Sequence, residues 1–215
     1  MSLKTNLRVI EETGVIAIVR FDRSEDLIQV ARAIAGGGVK AIEFTMTTPN
    51  ALEIIAAARR EFGEEIILGA GTVLDAETAR AAILAGAAFI VAPTLNRRVI
   101  EVCRRYSIVA IPGAYTPSEI LSAWEWGADL VKVFPAEIGG PAYLKAVRAP
   151  LPQIKLVPVG GVTLENTPEF IRAGASAVAV GSNLVNKKLV AERRYDQLQE
   201  LAAGFIRAVQ AGRNP

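Results

Sequence analysis

Apolar positions in this chain change their spacing at regular intervals. Short continuous apolar runs alternate with longer stretches in which apolar residues recur every third or fourth position. The first kind fits a β-strand covered on both faces, the second an amphipathic helix. Runs at residues 15–20, 41–45, 66–70, 89–92, 109–111, 130–134, 156–159 and 177–180 read as eight strands. Helices are predicted over 25–35, 50–62, 76–85, 97–106, from Thr116 or Ser118 to Trp126, and over 141–148, 163–173 and 194–211. Ser24 is placed to cap the first of these, with Glu25 and Asp26 at its positive dipole end. Pro49 suits a first helical position, and Asp75 and Asn96 suit caps. Glycine follows several helices, in Ala35-Gly36-Gly37-Gly38, Ala85-Gly86-Ala87, Trp126-Gly127-Ala128 and Ala173-Gly174-Ala175, where a left-handed cap residue is favoured.

Strict alternation of apolar strands with helices implies a parallel sheet. Eight such units in a chain of 215 residues fit a closed (β/α)8 barrel, a TIM barrel, as a single domain over residues 1–215. A doubly wound open sheet is the main competitor. It would carry a glycine fingerprint after the first strand, where this chain has Val19-Arg20-Phe21-Asp22.

Composition narrows the chemistry. Lys and Arg number 24 against 22 Asp and Glu, and no basic block interleaves with aromatics, so neither a nucleic acid nor a charged membrane surface is expected as partner. The pair Lys187-Lys188 reads as solvated loop charge. The single cysteine, Cys103, shares a helical apolar spacing with Val99 and Val102 and reads as a buried, inert thiol. The first six residues lack a signal peptide's apolar core, and the uncharged run over 81–96, interrupted by Gly86 and Pro93, falls short of the ~20 residues of a membrane span. A cytoplasmic location is expected. The chain has no histidine. That excludes a Ser-His-Asp triad and a Cys-His pair, and argues against a catalytic zinc. Proton transfer falls to a carboxylate, lysine, tyrosine or water.

One strand carries an anomaly. In Leu130-Val131-Lys132-Val133-Phe134 a lysine sits inside an apolar run. Desolvating an ammonium is costly, and the usual outcome is a lowered pKa and a neutral, nucleophilic amine. Lys132 is therefore a candidate Schiff-base lysine, the alternative being a lysine that reaches water from a strand end. Lys40 and Lys155 precede their strands and belong at the opposite rim. Glu43 is a second charge in an apolar strand and shares a face with Ala41 and Thr45. If that face points into the barrel, Glu43 can approach Lys132, the alternative being one half of a buried ion pair.

Barrel chemistry sits at the C-terminal ends of the strands. Those ends supply Arg20, able to clamp a carboxylate bidentately; Thr72, after Gly69-Ala70-Gly71; Pro93; and Phe134 beyond Lys132. The last two strands end in Gly160-Gly161-Val162-Thr163 and Gly181-Ser182-Asn183, which suit a phosphate held by loop amides and a helix N-terminus. Gly69-Ala70-Gly71 lacks the third glycine of a dinucleotide site, since Leu74 stands there.

Taken in order, Glu43-Phe44-Thr45, Gly69-Ala70-Gly71-Thr72-Val73-Leu74, Ile111-Pro112-Gly113, Lys132-Val133-Phe134-Pro135-Ala136-Glu137, Gly160-Gly161-Val162-Thr163 and Gly181-Ser182 resemble the 2-keto-3-deoxy-6-phosphogluconate aldolases, a group that includes the 4-hydroxy-2-oxoglutarate aldolases. The resemblance implies a class I aldolase on a (β/α)8 barrel, a homotrimer acting on a small keto acid with no metal or cofactor. It implies Lys132 as Schiff-base residue, Glu43 as acid/base, Thr72 at the pyruvate carboxylate, and Gly160, Gly161 and Ser182 at the phosphate. Where some members have an arginine after the glutamate strand this chain has Thr47, which leaves the carboxylate to Arg20. Where many have threonine before the glycine pair it has Val159, as in the related 2-keto-3-deoxy-6-phosphogalactonate aldolases. Phosphate-binding epimerase barrels share the late glycines but lack the Lys132/Glu43 pair. A non-catalytic sugar-phosphate-binding barrel is the alternative outside enzymes.

Overall fold

Burial in each strand alternates between two apolar environments, and this alternation organises the molecule. The computed structural model describes residues 2–21 and 27–214. Its strands are β1 (Val15–Val19), β2 (Ala41–Thr45), β3 (Ile67–Gly71), β4 (Phe89–Val91), β5 (Val109–Ile111), β6 (Gly113–Ala114), β7 (Val131–Val133), β8 (Leu156–Pro158) and β9 (Val178–Val180). They pair in parallel as β5-β4-β3-β2-β1-β9 and β6-β7-β8. Only Pro112 separates β5 from β6, because proline has no N–H to give the ladder. A single bridge, Val159 to Ala179, links the end of β8 to β9. The result is an α/β fold of parallel strands in a curled sheet.

The concave side is filled by Ile16, Ala41, Ile67, Phe89, Val109, Leu130, Val157 and Ala177, which form one buried cluster. Phe89 reaches into it because position 69 is glycine: a Cβ there would lie 2.3 Å from the ring. The intervening residues, among them Val15, Ile42, Leu68, Ile90, Val131 and Val178, pack outward against the helices. Those helices are α2 (Leu27–Gly36), α3 (Ala51–Phe62), α4 (Ala76–Leu84), α5 (Arg97–Arg105), α6 (Pro117–Glu125), α7 (Gly140–Arg148), α8 (Thr167–Arg172), α9 (Lys187–Ala191) and α10 (Tyr195–Arg213), preceded by α1 (Leu3–Thr13). Among the described residues, no helix is long and apolar enough to cross a membrane.

The eight predicted strands are present, the fifth as β5, with the additional two-residue β6 following beyond Pro112. Asp75, Asn96 and Thr116 cap their helices as expected, Thr116 in a reciprocal capping box with Glu119. The predicted Ser24 cap lies outside the described residues. Helix α1 was not expected. Ser2 caps it, Gly14 ends it at φ 71°, and its fully buried Ile10 plugs the N-terminal side of the concave cluster. Lys155 lies at that rim, as predicted, bound to Glu11 at 2.6 Å. Helix α8 is shorter than the 163–173 expected. Thr163 N–H donates to Asn166 Oδ1 at 2.8 Å and closes a turn before the helix begins. No helix N-terminus therefore follows directly on the glycine pair.

Candidate active site

The curl of the sheet leaves a cavity of about 330 Å³ at the C-terminal ends of the strands. Arg20, Glu43, Thr72, Pro93, Lys132, Phe134, Gly160, Gly161, Gly181 and Ser182 all line it. These residues are dispersed along the chain. Parallel pairing aligns their strand ends.

Lys132 occupies the centre of β7 and is 6% exposed. It lies in register with Gly113 and Val157 and its Nζ is 4.8 Å from the centre of the Phe134 ring. Burial lowers its pKa below the ordinary 10.5, with nearby Arg20 acting in the same direction and Glu43 opposing. Glu43 is 2% exposed in β2, aligned with Ile18 on one side and Gly69 on the other. Burial raises its carboxyl from 4.5 to about 7, against the pull of Lys132 and Arg20. The room for that carboxyl comes from Gly71, where a Cβ would sit 2.4 Å from Glu43 Oε1. The other oxygen, Oε2, is buried with no hydrogen-bond partner among the described residues.

Arg20 follows β1 and reaches across the end of β2. Its Nη2 donates to the Thr72 hydroxyl at 3.5 Å. Thr72, which lines the cavity, has φ 57°, a left-handed conformation that a β-branched residue rarely adopts and that ends the strand. On the far wall, Gly160 and Gly161 have φ 99° and 67°. Their loop is held by Asn166 Nδ2 donating to Gly161 O at 2.8 Å. Asn183 Nδ2 donates to Val162 O at 2.7 Å and ties this loop to the one after β9.

Val162 and Asn183, from the two late strand-end loops, also line it, and further lining residues went unpredicted: Ile18, Ala179, Val180, Val185 and Lys187. Strand periodicity alone would have found Ile18 and Ala179, which share the inward face with Arg20 and Gly181. No local signal marks Lys187, which the sequence places among solvated loop charges. Among the described residues no group of three or more His, Cys, Asp and Glu side chains gathers as a metal site. Cys103 is fully buried elsewhere, its thiol pushed up to about 12 by burial.

The sequence profile of the KDPG and KHG aldolases matches residues 7–201. The chain belongs to that family. It is accordingly an aldolase, a carbon–carbon lyase. A 2-dehydro-3-deoxy-phosphogluconate aldolase of Treponema pallidum is 37% identical over 95% of this chain and 98% of its own length. A 2-dehydro-3-deoxy-6-phosphogalactonate aldolase of Escherichia coli is 34% identical, covering 91% of this chain and 96% of that one. Among solved structures, KDPG aldolase from Legionella pneumophila, with pyruvate captured at low pH as a covalent carbinolamine, has a TM-score of 0.86 and 28% identity over 93% of this chain and 97% of that one. For an aldolase the geometry has a direct reading. An amine biased toward neutrality and a carboxyl biased toward protonation near neutral pH share one cavity.

Proposed function

We propose that this chain is a class I aldolase cleaving 2-keto-3-deoxy-6-phosphogluconate to pyruvate and glyceraldehyde 3-phosphate, and 4-hydroxy-2-oxoglutarate to pyruvate and glyoxylate. One observation carries the reading: the buried Lys132 amine shares its cavity with a Glu43 oxygen that has no partner among the described residues. The neutral amine adds to the C2 carbonyl, and loss of water gives an iminium that serves as electron sink. Glu43, directly or through water, takes the proton from the C4 hydroxyl. The C3–C4 bond breaks, its electron pair passes into an enamine, and the aldehyde leaves. Protonation at C3 and hydrolysis return pyruvate and free Lys132. Arg20 and Thr72 hold the carboxylate, Pro93 and Phe134 wall the methyl group, and Gly160, Gly161, Gly181 and Ser182 receive the phosphate. The route uses no metal or cofactor.

A second substrate, 2-keto-3-deoxy-6-phosphogalactonate, is favoured by Val159, which lines the cavity. The phosphogalactonate aldolases resemble this chain in that valine. On the scale of the fold, the Lys132 N–H to Pro112 O bond at 2.9 Å, across the one-residue gap between β5 and β6, and the Val159–Ala179 bridge support one closed eight-stranded barrel over residues 1–215. The family resemblance supports a cytoplasmic homotrimer, and the 43%-exposed Trp124 is a candidate contact residue. Light scattering should give three times the chain mass. A monomer mass would overturn the trimer.

The decisive experiment treats the protein with pyruvate and borohydride and maps the adduct by mass spectrometry. A stable addition on the Lys132 peptide is expected, together with pyruvate release from at least one of the three aldols. Lys132→Ala should lose both trapping and turnover. Pyruvate binding without an adduct would favour a non-catalytic binding barrel.

A further inference from the structure

The outer half of the cavity contains a cation that the reaction described above does not use. Lys187 lines the cavity with Gly160, Gly161, Gly181 and Ser182. The chain brings it there by folding back at once after β9: Leu184 N–H and Val185 N–H both donate to Gly181 O, at 2.9 and 2.8 Å. Leu184 is fully buried and Val185 is 4% exposed, which anchors the turn. Asn186 Oδ1 then accepts from Lys188 N–H at 2.9 Å and Leu189 N–H at 3.3 Å, setting the direction in which residue 187 leaves the backbone. Lys188, one residue on, is absent from the cavity lining. It is 80% exposed and lies 4.0 Å from Glu192 on its own helix.

We propose that Lys187 is the specificity residue for the distal anion of the aldol, its ammonium meeting the phosphate at the far end of the substrate. This rests on the aldolase reading above and deepens it. The rest of the outer wall offers backbone amides, the Ser182 hydroxyl and the Asn183 amide, beside the apolar Val159, Val162 and Val185. None of these carries positive charge. Arg20 and Lys132 serve the carboxylate and the carbonyl at the inner end. A phosphate entering a partly apolar wall needs a compensating charge, and Lys187 is the cation placed to give it. A lysine suits the task. Its charge is compact, on a flexible stem, and follows an anion at the rim without demanding one fixed geometry.

The test compares 2-keto-3-deoxy-6-phosphogluconate with its unphosphorylated counterpart, 2-keto-3-deoxygluconate, in wild type, Lys187→Ala, Lys187→Arg and Lys188→Ala. Loss of a charge-assisted contact predicts a KM for the phosphorylated substrate about tenfold to a hundredfold higher in Lys187→Ala. Its kcat/KM on the unphosphorylated substrate should stay within about twofold, since no phosphate contact is removed there. Lys187→Arg should recover most of the preference, and Lys188→Ala should match wild type. A preference unchanged in Lys187→Ala, or an equal loss on both substrates, overturns the proposal. Thermal unfolding with inorganic phosphate gives a readout independent of turnover. Phosphate should stabilise wild type and Lys188→Ala more than Lys187→Ala. Equal stabilisation of all three would also overturn it. Failure of the aldolase reading looks different: wild type would form no pyruvate adduct and release no pyruvate from any aldol.

Discussion

Burial moves Glu43 and Lys132 toward their neutral forms, and each costs the folded chain something when charged. The Glu43 carboxyl rises from 4.5 to about 7, so the folded chain keeps a proton there that the unfolded chain releases. Stability therefore falls as pH rises through that window. Glu43→Gln removes this contribution. Its melting temperature relative to wild type should climb from acid pH to above neutrality, approaching about 3 kcal/mol in stability. A difference that does not change with pH would contradict the assignment. In the proposed route Glu43 takes the C4 proton as the carboxylate, which predicts that kcat/KM rises through the same window. Both residues were legible in the sequence because a charge inside an apolar run is a local anomaly. The φ of Thr72 and the unpartnered state of Glu43 Oε2 were not. Each depends on neighbours that are distant in sequence.

At the scale of elements, the site works because strand ends are cut to fit one another. Gly71, at the end of β3, leaves the volume that the Glu43 carboxyl from β2 occupies. Its φ is not in the left-handed region, so alanine is tolerated by the backbone and the effect of Gly71→Ala is steric. The new methyl would displace Glu43, and a shift of that size costs roughly 10²-fold in kcat. Circular dichroism should be unchanged and borohydride trapping of pyruvate on Lys132 retained. Normal kcat would mean that the carboxyl position is not critical. Periodicity revealed the strands, since strand alternation needs no knowledge of the partner. It did not reveal α1, although Leu3, Leu7 and Ile10 recur at helical spacing between Ser2 and Gly14. Nor did it reveal how Thr163 and Asn166 shorten α8, because side chains that satisfy the backbone in a turn compete with the helix.

On the scale of the whole molecule, a covalent imine at Lys132 would bind only the folded chain, because the cavity does not exist in the unfolded one. Pyruvate at about a hundred times its dissociation constant should then add about 3 kcal/mol, raising the melting temperature by roughly 5–10 °C. Lys132→Ala should show a much smaller rise. Equal shifts in both proteins would separate binding from the lysine. Sequence alone determined the repeating strand–helix order, the parallel sheet and the two charged residues set in apolar strands, because each is written in residues that lie close together along the chain. Tertiary structure decided which strand ends meet. It brought Arg20 to Thr72, opened space for Glu43 at Gly71, and turned Lys187 from a loop charge into part of the cavity wall. The physical reason is that burial and proximity, which move a proton or create a charge pair, arise only when segments far apart in sequence pack together.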